Sequence, residues 1–127
     1  MNKILQVEDE PDIRAIARIA LEDVGGFVVE AAESGVEALQ RAETFRPDLI
    51  LLDVMMPGMD GPTTFQALRR SPSTAAIPVI FMTAKVQSHE VERYKALGAL
   101  GVLPKPFDPM TLADQVRALW RGSGQDH

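Results

Sequence analysis

Four short apolar runs in this chain end in residues that can do chemistry together. Lys3–Val7 runs into Glu8, Asp9 and Glu10. Leu49–Leu52 runs into Asp53. Ile77–Met82 runs into Thr83, and Val102-Leu103 is followed one proline later by Lys105. Three carboxylates brought close cannot all stay ionised cheaply. A divalent cation resolves this, and Mg2+ prefers one or two carboxylates with waters and phosphate oxygens. In that setting Asp53 is a nucleophile able to become an aspartyl phosphate. Mg2+ and Lys105 would neutralise the charge of a transferring phosphoryl group, and the Thr83 hydroxyl would donate to one of its oxygens.

The elements around these residues put them at one edge. Leu49–Leu52 has no polar break, as expected for a strand buried on both faces of a parallel sheet. A first strand over Lys3–Val7 precedes a helix that opens at Pro11 and closes at Gly25-Gly26, with Ile13, Ile16, Ala17, Ala20, Leu21 and Val24 as its inward stripe. A second strand spans Phe27–Ala31. Ser34 and Glu37 have capping-box spacing for a helix to about Phe45, with Val36, Leu39 and Ala42 inward. After the central strand, the Gly58–Gly61 turn leads to a helix with Phe65 and Leu68 inward. Ile77–Thr83 is a fourth strand. Ser88 caps a fourth helix with Val91, Tyr94 and Leu97. A short fifth strand at Val102-Leu103 follows, and Asp108-Pro109 starts a last helix with Leu112, Val116 and Leu119 inward. Five strands alternating with five helices predict an α/β fold, a doubly wound parallel sheet covered on both faces. In such sheets ligands bind at the C-terminal strand ends.

Composition narrows the function classes. The chain has 127 residues, 46% apolar and 24% charged, and a net charge of −5. One domain is expected over residues 1–121, with a polar tail at 122–127. The negative balance disfavours a nucleic-acid surface. With no cysteine, disulfides, thiol catalysis and thiolate metal sites are excluded. His89 and His127 are too far apart to suggest a zinc site or a Ser-His-Asp triad. No signal peptide is evident, and no apolar run approaches the roughly 20 residues of a membrane span. A cytoplasmic protein is expected.

At the acidic pair Glu8-Asp9, Asp53 with the following MMPGMDG turn, Thr83-Ala84 and Lys105-Pro106-Phe107, the sequence resembles the receiver domain of two-component response regulators. The resemblance covers residues 2 to about 121, with every motif in order. It implies a flavodoxin-like sheet of strand order 2-1-3-4-5. It also implies Asp53 as phosphoacceptor, with Asp9, Asp53 and the backbone carbonyl of Met55 as Mg2+ ligands. Glu8 would hold the ion through water, and Thr83 and Lys105 would contact the phosphoryl group. A cis Lys105-Pro106 bond is a further family feature. One position departs: Val102 stands where the family often has Tyr or Phe, so the aromatic that swings inward as Thr83 engages phosphate is missing.

The function implied is a stand-alone receiver in a phosphorelay. It would take its phosphoryl group from a sensor histidine kinase or histidine phosphotransfer protein and signal by protein contacts. The only catalysis expected is self-directed phosphoryl transfer and autodephosphorylation. No DNA or membrane contact is expected, and the state is monomer or weak dimer. Ala15 and Ile19 lie outside the inward stripe of the first helix, where they could help dock a phosphodonor protein.

Plainer readings exist for each residue alone. The acidic run could serve the helix dipole, Thr83 could be a β-former, and Asp53 and Lys105 a structural ion pair. Their shared register favours the site. Competing functions are a phosphate-independent binding module, a haloacid-dehalogenase-type phosphatase and a flavin binder. The phosphatase family needs Asp-x-Asp where this chain has Glu8-Asp9-Glu10. A flavin phosphate loop needs hydroxyl and glycine donors where this one is acidic.

Overall fold

The structure, a computed structural model, describes residues 2–122. Five strands alternate with five helices. They run β1 Lys3–Val7, α1 Pro11–Ile19, β2 Val28–Ala32, α2 Gly35–Phe45, β3 Leu49–Asp53 and α3 Gly61–Arg70. β4 Val79–Thr83, α4 Ser88–Ala96, β5 Gly101–Pro104 and α5 Leu112–Gly122 follow. All strand pairs are parallel and the order is β2-β1-β3-β4-β5, as the resemblance implies. The chain steps outward from β1 to β2, then returns to the other side of β1 for β3. The switch point therefore lies between β1 and β3.

β3 is buried along its whole length. Its pleat divides the core in two. Leu49 and Leu51 join Ile4, Ile80, Met82 and Leu103 against α1 and α5. Ile50 and Leu52 join Leu5, Val7, Phe81 and Ala99 against α2, α3 and α4. Trp120 is buried in the first of these cores. Phe81 stacks at a tilt between Phe65 and Tyr94, with centroids at 5.6 and 5.0 Å.

Several inward faces differ from the sequence expectation. Over residues 11–24, Ala17, Ala20 and Leu21 are buried, but Ile16 is 46% and Val24 47% exposed. Ile16 sits at the edge of the stripe. Val24 lies in a π-helical turn, Ala20–Val24, that extends α1 and is closed by the Gly25 N–H on the Ala20 carbonyl. The wider turn rotates Val24 off the buried face. In α2 the buried residues are Gly35, Ala38 and Ala42, with Leu39 partly buried and Val36 exposed. Leu97 is exposed beyond the end of α4.

Caps also shift. Ser34 Oγ accepts from the Glu37 N–H at 3.1 Å, but the Glu37 carboxylate returns to Glu33 rather than to Ser34. Gln87, not Ser88, is the N-cap of α4. Asp108 closes a turn on Met110, Thr111 and Leu112, so α5 starts later than Pro109. Gly122 belongs to α5, and the rest of the expected tail, with His127, lies outside the described residues. No helix among the described residues is long and apolar enough to cross a membrane.

Candidate functional site at the C-terminal strand edge

Strand register assembles the site. Val7 pairs with Leu52, so Glu8 follows beside Asp53. Asp53 pairs with Met82, and Thr83 with Pro104, which Lys105 follows. Residues two apart share a face. Asp53 shares the side of Leu51, and Lys105 that of Leu103, both facing α1 and α5. Thr83 takes the side of Phe81, facing α3 and α4.

Side-chain contacts follow that division. Lys105 Nζ donates to Glu8 Oε1 at 2.9 Å and to Asp53 Oδ1 at 3.2 Å. All three groups are largely out of water. Burial, and then the neighbouring Asp53 charge, push the Glu8 carboxyl up to about 7, against the opposing effects of Lys105 and the Glu10 N–H. Asp53 is raised as well, because burial outweighs the charge and hydrogen bond of Lys105. Burial alone would lower Lys105, but the hydrogen bond to Glu8 and the charge of Asp53 outweigh it and raise the ammonium. One cation thus hydrogen-bonds two carboxylates but cannot neutralise the charge of both.

The remaining acceptors point to a second cation. Asp53 Oδ2 and Asp9 Oδ1 are buried without a hydrogen-bond partner among the described residues. A buried unpaired acceptor costs about 1–3 kcal/mol, and more when charged. Carboxylate oxygens of Glu8, Asp9 and Glu10 lie within 4.8 Å of one another. An all-oxygen donor set with two orphaned carboxylate oxygens fits a hard divalent ion. Glu10 extends the acidic cluster beyond the ligands expected from the sequence. Met55, two residues past Asp53, is 71% exposed.

A response regulator receiver domain model matches residues 4–117. The chain belongs to the response regulator receiver domain family. It is 43% identical over 119 residues to the transcriptional activator protein IrlR of Burkholderia pseudomallei strain 1026b, covering 94% of this chain and 50% of that protein. It is 40% identical over 121 residues to the DNA-binding dual master transcriptional regulator RpaA of Synechocystis, with 95% and 50% covered. The receiver thus spans about half the length of the curated relatives it matches. Among solved structures it is similar to the chemotaxis response regulator CheY4 of Vibrio cholerae. The TM-score is 0.86 at 36% identity, over 94% of this chain and 98% of that one.

In this receiver domain Thr83 stands apart from the charged triad. Its Oγ1 accepts from the Lys85 N–H at 3.1 Å. With Met55, Asp60, Lys85, Arg93 and Tyr94 it lines a cavity of about 240 Å³ on the α3–α4 side. Val102, at the departed aromatic position, packs half-buried against the core that holds Phe81 and Tyr94. On the other side an apolar groove of about 180 Å³ lies between Ile13 and Ile16 of α1 and the Lys105–Pro109 loop. The Lys105–Pro106 bond is cis.

Two features of the site had weak sequence signals. Asp60 caps α3, its Oδ1 accepting from the Thr63 N–H at 2.9 Å. Gly61 lies against the end of β3. A Cβ there would come within 2.5 Å of the Asp53 carbonyl oxygen and 2.8 Å of Val54 Cα. The Asp60-Gly61-Pro62 run, a cap followed by a helix-start proline, marks the helix start but not this close approach.

Proposed function

We propose that this receiver takes a phosphoryl group onto Asp53 from a phosphohistidine, with Mg2+, and signals through protein contacts. The observation that carries the reading is the pairing of Asp53 with Lys105 while Asp53 Oδ2 remains buried and unpartnered. One carboxylate oxygen of Asp53 forms the new P–O bond as the P–N bond to the donor imidazole breaks, and the electron pair returns to the imidazole. Lys105 orients Asp53 and faces the developing charge. Asp9, Asp53 and the Met55 carbonyl would hold Mg2+ directly, and Glu8 through water. The ion supplies charge neutralisation for the transferring group. Reversal to the resting state is hydrolysis of the aspartyl phosphate within the same site, so the protein turns over no separate substrate.

The donor is a sensor histidine kinase or histidine phosphotransfer protein. Its docking surface is the groove between α1 and the Lys105–Pro109 loop, because Lys105 lines both that groove and the acceptor site. Ile19, on the same helix as Ile13 and Ile16, is a further exposed apolar residue at 57%. Phosphorylation shifts a two-state equilibrium of the Thr83 loop, α4 and β5, without an aromatic at Val102. Incubation with acetyl phosphate tests the reading. Mg2+-dependent phosphoryl incorporation into wild type but not Asp53→Asn supports it, and incorporation into both variants equally overturns it.

A further inference from the structure

We propose that Arg14 is a positioning residue for the divalent cation, acting through the backbone of the Glu8-Asp9 loop. The inference rests on the metal reading of the acidic site given above. Arg14 Nη1 donates to the Glu8 carbonyl at 2.8 Å and, more weakly, to the Asp9 carbonyl at 3.4 Å. Its other terminal nitrogen lies 3.8 Å from Glu33 Oε2, beyond the end of β2. The Arg14 backbone is itself fixed, since its carbonyl accepts from Gln6 Nε2 at 2.7 Å and Gln6 is buried in β1. One planar guanidinium thus ties the loop carrying Glu8 and Asp9 to α1 and, through Glu33, to the β2–α2 connection.

The loop needs such a tie. Three carboxylates crowd within it, and their repulsion favours opening of the chain when no cation is bound. Arg14 donates to the Glu8 and Asp9 backbone carbonyls, so it holds the backbone of the loop without occupying their carboxylates. A guanidinium offers five donors in a rigid fork, whereas a lysine ammonium is a single flexible point.

The sign of the effect separates positioning from charge. Removing a cation near a dication site strengthens metal binding on Coulomb grounds alone. Removing a brace weakens it, and the loss of an outer-shell partner typically costs 10–100-fold in metal affinity. Calorimetric titration with Mg2+ is made on wild type, Arg14→Ala, Arg14→Lys and Arg18→Ala, with a thermal melt of each. Arg18 is the control, since it braces the same helix to the Val29 carbonyl away from the acidic loop. Arg14→Ala is expected to bind Mg2+ at least about tenfold more weakly, Arg14→Lys to recover only part of this, and Arg18→Ala to match wild type. Arg14→Ala binding as tightly as wild type or tighter, with wild-type binding intact, overturns the positioning role alone. If Arg14→Ala does not fold, full wild-type affinity in Arg14→Lys overturns it. Absence of Mg2+ binding in wild type overturns the metal reading itself and this inference with it.

Discussion

Lys105 Nζ lies 2.9 Å from Glu8 Oε1, joining the ends of β1 and β5 across the mouth of the sheet. The same ammonium holds Asp53. Lys105→Ala is expected to have opposite effects on two measurements. Mg2+ affinity rises several-fold, because a competing cation leaves the carboxylates. Phosphoryl incorporation falls at least tenfold, because the charge on the transferring group loses its fixed partner. Without Mg2+ the variant loses about 3 kcal/mol at pH 8, as expected for breaking a buried pair. A parallel fall in Mg2+ affinity would contradict this division of roles.

The Glu8 carboxyl, raised to about 7 from an ordinary 4.5, gives a pH dependence of unusual sign. Between those values the folded protein holds more protons than the unfolded chain. Stability without Mg2+ therefore falls as pH rises toward and through about 7, opposite to a salt-bridged carboxylate of lowered pKa. Mg2+ needs ionised ligands, so its affinity rises over the same interval. Urea unfolding from pH 5.5 to 8.5, with and without Mg2+, checks both. Asp53, raised as well, adds a dependence of the same sign, so Glu8→Gln is expected to lessen the slope of the metal-free curve without abolishing it, and an unchanged slope in that variant would reject the assignment.

Gly61 approaches the Asp53 carbonyl too closely for any side chain. Gly61→Ala forces backbone movement at Asp53 and is expected to destabilise by about 1–3 kcal/mol, the usual range for overpacking. Mg2+ affinity falls with it, because Asp53 moves. Unfolding and titration of the variant measure both, and a change under about 0.5 kcal/mol, the ordinary surface range, would contradict the close contact.

Ile19 is 57% exposed on α1, the helix whose Ile13 and Ile16 line the groove beside Lys105. Ile19→Lys is expected to slow phosphoryl transfer from a phosphorylated donor protein about tenfold or more, in the range of an interface hot spot. The rate from acetyl phosphate stays at the wild-type value. Equal transfer from the protein donor would remove this surface from the docking role.

Most of the site could be read from the chain because each key residue ends an apolar run. Leu49–Leu52 marks the central strand, and parallel strands bring Asp53, Thr83, Lys105 and Glu8-Asp9 to one edge. The split between Lys105 and Thr83 lies in the pleat, and only the observed register makes it plain. Helix faces were less readable. Ile16, Val24 and Val36 each fit an apolar stripe by spacing, yet all are exposed. In α1 a π-helical turn changes the period, and in α2 the small Ala38 and Ala42 take the inward face. Side-chain reach was not readable at all. Nothing in the spacing of Arg14 or Gly61 reveals a bond to the Glu8 carbonyl or a near-clash with Asp53.

The central claim is that Asp53 becomes an acyl phosphate. Its most direct test is chemical trapping. The protein is incubated with acetyl phosphate and Mg2+, reduced with borohydride, digested and mapped by mass spectrometry. An aspartyl phosphate is reduced to homoserine, whereas a free carboxylate is not. Homoserine at position 53 in wild type, absent when Mg2+ is chelated and absent in Asp53→Asn, is the predicted result. An unreduced Asp53 in folded protein that binds Mg2+ would contradict the claim and favour a receiver that works as a phosphate-independent binding module.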